Sequence, residues 1–463
     1  MISDRLRITS SRKSTIHDLA LAVACAALII PSLSAEAADL VVWWEKGFYA
    51  QADEAVAEIV AAFEQQTGKQ VELVQPAQNE VFDSVQTALA AGQPPDFLYS
   101  TVSDNWAAQW TYDDRLVDLE DAIGPVLDLF DADAIDVSTL LNGKTGRRGL
   151  YALPMARASN HIHVWKSLLE RAGFTLADIP KQWEAFWSFW CEVQPVVRRA
   201  TGRNDIWGAG LAMSVAASDT ADQLVEFQQA YEAPWLSRDR RLQVDDPTIR
   251  KGMITALDAY TAIWREGCAP PDSVSWTNID NNKAFLAQRV VMTTNTTLSI
   301  PAALKRERPD DYYENVVTID WPEGANGQPL VISGFINRAM LFKAGGNPAL
   351  ARDFVRFLAE EGWLAHWLDF AGDQFMPPIR KLVEQPFWLD PSDPHRMRAA
   401  VQILSRPHYD DMTLGVRDYE RQSPRISEEN VWGKAVHRVV TEGISPEQAV
   451  DEAIARIKQI LSE

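Results

Sequence analysis

Apolar positions along this chain recur with two periods, and the places where one period gives way to the other outline the fold. From Asp39 to Trp44 the run Leu-Val-Val-Trp-Trp is almost continuously apolar, the pattern of a strand buried on both faces. From Asp53 to Thr67 the spacing becomes helical: Ala55, Ile59, Ala62 and Phe63 share one face, and Glu54, Glu58 and Glu64 lie elsewhere. Gly68 is placed to end that helix. Gln70 to Val74 predicts a second strand, Glu80 to Ala91 a second amphipathic helix ended by Gly92, and Asp96 to Ser100 a third strand. Strand, helix, strand, helix, strand is the order of a parallel sheet flanked by helices. Ligands of such sheets bind beyond the carboxyl ends of the strands.

The later pattern is less regular. Gly143 to Pro154 is rich in turn residues, and a helical middle dense in Trp follows. Strands are predicted at Ile206–Met213, at the end of Ala284–Thr294, at Val316–Trp321 and at Val331–Phe342, the last broken by Gly334. Asp246-Pro247 opens a helix running to about Glu266, Asn347 caps one over Pro348–Glu360, and Ser445-Pro446 starts a final helix ending near Leu461. Trp183, Trp187 and Trp190 fall at helical spacing and read as a packed core face, as do Trp363 and Trp367. There is no internal repeat.

At 463 residues the chain is too long for one hydrophobic core, and 46 % apolar with 23 % charged residues is an ordinary folded composition. The first residues add a targeting signal. Arg5, Arg7, Arg12 and Lys13 precede an apolar run from Leu19 to Ile30, and Ala35-Glu36-Ala37 supplies small residues for cleavage between Ala37 and Ala38. The run is about a dozen residues, short of the roughly 20 that cross a bilayer. Residues 1–37 are therefore read as a signal peptide. Lipid attachment at Cys25 is the less favoured reading, because so little apolar chain precedes it. The net charge of −20 argues against nucleic acid as a partner. Cys191 and Cys268 either form one disulfide in an oxidising compartment or remain two buried thiols, and neither has zinc-ligand neighbours.

Several short patterns together resemble the extracellular solute-binding proteins of carbohydrate ABC importers, the family that includes maltose-binding protein. They are Val41-Val-Trp-Trp44 with the helix end Phe63-Glu-Gln-Gln-Thr-Gly-Lys-Gln-Val71, Gly92-Gln-Pro-Pro-Asp96, Gly149-Leu-Tyr-Ala-Leu-Pro154, Pro180-Lys-Gln-Trp-Glu-Ala-Phe186, Ala284-Phe285 to Met292, Pro348 to Phe354 and Ser445 to Ala449. Each is weak alone; their order and spacing are specific, and they span nearly the whole chain after residue 37. Two departures stand out. Val164-Trp165-Lys166 replaces the family's frequent Tyr-Asn-Lys and loses a ring that some members stack on sugar, and Gln182 replaces the usual Thr. The resemblance implies an α/β, two-lobed periplasmic binding protein fold with a hinged interlobe cleft. Aligning the motifs puts residues 38–150 and 305–345 in lobe one and 151–304 and 346–463 in lobe two. It also implies closure of the lobes around ligand, an ABC importer permease as partner, a periplasmic monomer, no cofactor and no catalysis.

A sugar needs aromatic faces for its C–H surfaces and directional polar groups for its hydroxyls. The 17 Trp, several beside polar residues at predicted strand ends, suit both demands. In lobe one the candidates are Trp44 and Glu45 after the first strand, and Asp104 and Trp106 after the third. Glu45 alternatively reads as a solvated charge at a helix start. In lobe two Arg157, Asn160 and His161 follow the Leu153-Pro154 crossing. Arg157 either pairs with a lobe-one carboxylate or clamps an acidic ligand. His161 and His163 lie two apart on a strand, which supplies too few ligands for a metal. Trp235, Trp276, Asn278, Asn295 and Trp432 are further candidates in loops or at strand ends, with Asp373 and Gln374 in a loop before Pro377-Pro378.

The sequence thus points to the substrate-binding component of an importer for a sugar, oligosaccharide or polyol. One alternative keeps the scaffold and changes the ligand to a glycerol phosphate or other non-sugar solute, in which case Lys46 and Arg157 matter. The other is a secreted carbohydrate-active enzyme. No nucleophile elbow, HExxH or phosphate-binding glycine loop occurs to favour it.

Overall fold

The computed structural model describes residues 38–47, 50–101, 106–237, 239–360, 362–370, 374–405, 408–409, 416, 419 and 421–463. The expected signal segment lies outside them, as do Asp104 and Asp373. The twelve strands among the described residues are β1 (Leu40–Trp44), β2 (Val71–Val74), β3 (Phe97–Tyr99), β4 (Thr139–Asn142), β5 (Arg147–Leu150), β6 (Leu153–Ser159), β7 (His161–Trp165), β8 (Trp207–Gly210), β9 (Val290–Asn295), β10 (Val316–Ile319), β11 (Ile332–Leu341) and β12 (His408–Tyr409).

They build two larger sheets and one hairpin. The first sheet runs β12-β11-β3-β1-β2, with β6 also paired to β11; the second runs β10-β7-β9-β8; β4 and β5 pair with each other. Strands β1, β2 and β3 are parallel, as the alternation of strand and helix requires, with Leu40 opposite Val71 and Trp44 opposite Tyr99. Leu40, Val42 and Trp44 are buried on one face of β1 and Val41 and Trp43 are half-buried on the other, because helices cover both faces. Strand β11 runs antiparallel to both β3 and β6. Its irregularity is a register shift between Asn337 and Arg338, not a break at Gly334, which stays paired with Ser159.

Local signals act where the sequence places them. Asp246 caps the Pro247–Arg265 helix by accepting from the Thr248 and Ile249 amides, Asn347 accepts from Leu350 N–H at 3.1 Å, and Ser445 accepts from Gln448 N–H at 3.1 Å. Asp96, at the end of the Gly-Gln-Pro-Pro-Asp turn, is buried and accepts from Val41 N–H at 2.8 Å and Asn347 N–H at 2.6 Å. It thereby fastens the start of β1 to the helix after β11. Gly345 sits so close that a Cβ there would lie 2.6 Å from the Asp96 carboxylate, so only glycine fits.

Each sheet has its own core. Phe63, Phe97, Phe354 and Leu358 pack on one face of the first sheet, and Trp110, Met340 and Phe342 on the other. The second core gathers Trp183, Trp187 and Trp190 with Phe227 and Tyr260, so the predicted tryptophan face is buried.

The chain divides between the cores differently from the motif alignment. Residues 153–159 are expected in the second lobe, but β6 pairs with β11 in the first sheet. Of residues 305–345, expected in the first, β11 does join the first sheet, but β10 pairs antiparallel with β7 in the second. The Pro348–Glu360 helix, expected in the second, buries Leu350, Ala351, Phe354 and Leu358 in the first core. The reason is hydrophobic: Phe354 fits edge-on against Phe63 and Phe97 with ring centroids 5.1 Å apart in both cases. The chain therefore crosses between sheets at Asn160, joining β6 to β7, and again between Ile319 and Ile332.

Candidate functional site

A cavity of about 410 Å³ opens at the carboxyl ends of β1 and β3, where it also meets elements of the second sheet. That volume lies in the range of small-molecule sites. Its first wall is aromatic. Trp44 ends β1, Tyr99 ends β3, and both touch Trp367, at 5.4 and 5.1 Å between ring centroids. Phe335 of β11 and Phe375 extend the same wall. Trp44, Tyr99 and Trp367 are mostly buried in the first core, which fixes the wall in place.

Glu45 follows Trp44 and is held rigidly. Its carboxylate accepts from Ser100 Oγ at 2.7 Å, Thr101 N–H at 2.9 Å and Thr101 Oγ1 at 2.5 Å, while its own N–H donates to Tyr99 O at 2.8 Å. Glu45 thus ties the end of β1 to the end of β3 and is buried, not the solvated helix-start charge of the alternative reading. Lys46 next to it is exposed and is the single cation lining the cavity among the described residues.

The opposite wall is polar and belongs to the second sheet. Asn295 ends β9. Its amide donates to Thr297 O at 2.8 Å and Ser299 Oγ at 3.0 Å, and its side-chain carbonyl accepts from Asn281 at 3.2 Å. Asn278 accepts from the Asp219 N–H at 3.3 Å and donates to Ser218 Oγ at 3.1 Å, fixing the start of the Asp219–Ala230 helix. Asp219 and Asp222 on that helix also line the cavity. Burial pushes the Asp219 carboxyl well above the usual carboxylate range, with the Asp222 charge adding to the effect, and burial raises Asp222 to about 7. Gln374 completes the rim, its backbone carbonyl accepting from Leu298 N–H at 3.0 Å.

A smaller hollow of about 160 Å³ continues from the cavity, sharing Thr101, Ser218, Asp222 and Phe335 with it. Trp235 and Trp432 line this extension with ring centroids 6.3 Å apart. The buried Trp432 Nε1–H has no hydrogen-bond acceptor among the described residues.

Of the residues singled out from sequence, Trp44, Glu45, Asn278, Asn295 and Gln374 come together around the cavity, and Trp235 and Trp432 around its extension. Five others lie elsewhere. Trp106 is half-buried and packs on Phe82 at 5.0 Å. Arg157 is 1 % exposed and bridges Asp131 and Asp133 at 2.9 and 3.0 Å, the pairing role rather than the ligand clamp. Asn160 is consumed by the crossing, its amide donating to Glu226 at 2.8 Å and its backbone carbonyl accepting from Trp321 Nε1 at 2.9 Å. His161 is buried in β7 opposite Asn295, its Nε2 3.4 Å from Ser159 Oγ. Trp276 is buried in the second core.

Sequence reading missed Asp219, Asp222, Tyr99, Phe335 and Trp367. Acidic residues in the first turn of a helix read as ordinary dipole partners, and Trp367 serves both core and cavity. Cys191 and Cys268 form a disulfide. Glu266 lies close enough to them to complete a metal-ligand group, but the two sulfurs are already joined to each other.

Two α/β halves with strand ends converging on one cavity define a two-lobed binding protein of the periplasmic type. The chain belongs to the bacterial extracellular solute-binding protein family, which it matches over residues 58–397. Among curated proteins none matches by sequence. Among solved structures it is similar to an ABC transporter solute-binding protein from Thermotoga lettingae bound with α-D-tagatose, with 19 % identity, TM-score 0.71 and coverage of 91 % of this chain and 99 % of that one. It is also similar to maltose-bound MalE3 of T. maritima, with 18 % identity, TM-score 0.71 and the same coverage. UgpB from Mycobacterium tuberculosis in complex with glycerophosphocholine matches at 17 % identity and TM-score 0.67, over 91 % of this chain and 98 % of that one. No helix among the described residues is long and apolar enough to cross a membrane.

Proposed function

We propose that this protein is the periplasmic substrate-binding component of an ABC importer and that it captures a carbohydrate or polyol in the cavity between its two sheets. The observation that carries the reading is the division of the cavity into an aromatic wall from the first sheet and an amide- and hydroxyl-rich wall from the second. A sugar ring has one surface for each. The two lobes we assign are residues 38–159 with 332–379 and β12, and residues 161–319 with the remainder of 380–463. They are hinged at Asn160, at the 320–331 segment and where the chain leaves the first core after Ile379. Closure about those crossings brings the walls together and presents the occupied form to the permease. The signal segment directs the chain to the periplasm, where it acts as a monomer and carries out no chemistry.

The glycerol phosphate reading needs cations at the ligand. Lys46 alone lines the cavity among the described residues, and Arg157 is spent on Asp131 and Asp133. A neutral or positively charged ligand therefore fits better than an anion.

Thermal unfolding of the exported, processed protein against mono- and oligosaccharides, polyols and glycerophosphodiesters tests this function. A ligand at 100 times its Kd adds about 2.7 kcal/mol, which raises Tm by several degrees. A shift with a sugar or polyol supports the reading. Shifts confined to anionic compounds overturn it.

A further inference from the structure

Two carboxylates facing the cavity have nothing among the described residues to balance them. Asp219 is 5 % exposed and lines the cavity, and no hydrogen-bond donor or cation among the described residues reaches its carboxyl group. Asp222, one helical turn on and on the same face, is half-buried, lines the cavity, and likewise has no donor or cation at its carboxyl group among the described residues. Two other acids of the cavity are satisfied internally: Glu45 by Ser100 and Thr101, and Asp53 by Gly47 N–H at 2.7 Å. Lys46 is exposed and makes no ion pair among the described residues. The wall opposite is aromatic, and the π-faces of aromatic rings attract a cation lodged beside them.

Resting on the sugar-binding reading, we propose that the natural ligand is an amino sugar, its protonated amine seated between Asp219 and Asp222 and its ring against the aromatic wall of Tyr99 and Trp367. A buried acid is retained without a partner only at a high cost unless a charge arrives with the ligand. The start of the Asp219–Ala230 helix lowers that cost only in part, through its partial positive charge. An ammonium removes it. A hydroxyl in the same place would leave one of the two carboxyls protonated or unbalanced.

Matched pairs of ligands that differ only in an amine for a hydroxyl test this: glucosamine and glucose, galactosamine and galactose, mannosamine and mannose, and the glucosamine dimer against cellobiose. Binding is measured by calorimetry at pH 7 in two buffers of different ionisation enthalpy. The expected result is that the amino member of at least one pair binds tenfold or more tightly than its hydroxyl twin. Protons are released on binding, because the arriving ammonium favours the charged form of carboxyls that burial otherwise keeps partly protonated. In Asp219→Asn and Asp222→Asn the preference should fall at least tenfold, with Tm held within a few degrees of the parent to show intact folding. Hydroxyl members that bind as well as or better than their amino twins overturn the proposal and leave the sugar reading standing. Failure of every member of every pair overturns both.

Discussion

The Asn160 side-chain amide donates to Glu226 Oε1 at 2.8 Å, and the same oxygen accepts from Ser333 N–H of β11 at 3.0 Å. Glu226 is fully buried, so a residue of the second core holds the junction at which the chain leaves the first sheet. Burial lifts its carboxyl to about 8 in spite of those two donors. Because the folded pKa is raised, the contribution to stability is present below the unfolded value of about 4.5 and is lost as pH rises through about 8. Asp222, raised to about 7, and Asp219 act in the same direction. His163 and His395 oppose them at the acid end. Burial keeps both imidazoles neutral, His395 down to about 4, so their contribution is lost as pH falls from 6.5 through that value. Stability should therefore peak at weakly acidic pH. A tenfold change in proton affinity between folded and unfolded chain is worth about 1.4 kcal/mol, and in a chain of this size each kcal/mol moves Tm by roughly 2–4 °C. Glu226→Gln should raise Tm at pH 9 by about 3 °C or more and change it little at pH 5. A parent Tm that is flat from pH 6 to 9 would contradict the assignment.

Glu45 bears on the cavity through its neighbours. Its carboxylate collects three donors from Ser100 and Thr101 and so sets the shape of the loop where β3 ends. Glu45→Gln replaces one acceptor oxygen with a donor and leaves at least one buried hydroxyl or amide without a partner. The expected loss of stability is about 1–3 kcal/mol. Ligand affinity should fall by about tenfold, because Thr101 belongs to both the cavity and its extension. Urea unfolding and calorimetry on the same preparation check the two effects. Unchanged affinity with lowered stability would assign Glu45 to the scaffold alone.

What could be read from the sequence was local. The caps at Asp246, Asn347 and Ser445, and the stop at Gly68, depend on a few adjacent residues and act as their spacing indicates. Trp44, Glu45 and Asn295 were legible because parallel strands put whatever follows them at one edge of the sheet. Arg157, Asn160 and His161 lie just as close to a strand end. Their roles depend on which sheet each strand joins, which is decided by β6 pairing with β11 and β7 with β10. Asp219 and Asp222 carry no mark that separates them from solvated first-turn acids until the Asn278 loop and the first sheet close over them.

Arg157 is charged, buried and close to a strand end, yet it serves the fold. Its guanidinium holds Asp131 at 2.9 Å and Asp133 at 3.0 Å, and its backbone exchanges hydrogen bonds with Met376 at 2.7 and 2.9 Å. Because Asp131 and Asp133 are 19 % and 44 % exposed, removing the buried guanidinium falls at the low end of the about 3–5 kcal/mol that breaking a buried ion pair costs. Arg157→Ala should lower Tm by about 6 °C or more, at roughly 2–4 °C per kcal/mol, while the Kd measured on the folded fraction stays within about threefold of the parent. Arg157→Lys should recover only part of the stability, since an ammonium cannot reproduce the two parallel bonds to Asp133 made together with the bond to Asp131. Abolished binding in a folded Arg157→Ala protein would restore the ligand-clamp role.

The Cys191–Cys268 disulfide joins the Trp183–Thr201 helix to the turn after the Pro247–Arg265 helix, across 77 residues of sequence. Its effect falls on the unfolded chain, whose freedom it restricts by closing a long loop, and closing a loop of that length stabilises the fold by about 2–5 kcal/mol. Neither cysteine lines the cavity or its extension. The double variant Cys191→Ser/Cys268→Ser, or the parent under reductant, should therefore unfold at a Tm lower by several degrees and still bind ligand with parental affinity below that temperature. A bridge of this kind persists only in an oxidising compartment, so its redox state also tests the periplasmic assignment. Labelling of free thiols in protein taken from intact cells should find both cysteines blocked. Two reactive thiols, together with an unchanged Tm under reductant, would place the chain on the reducing side of the membrane and overturn its proposed export.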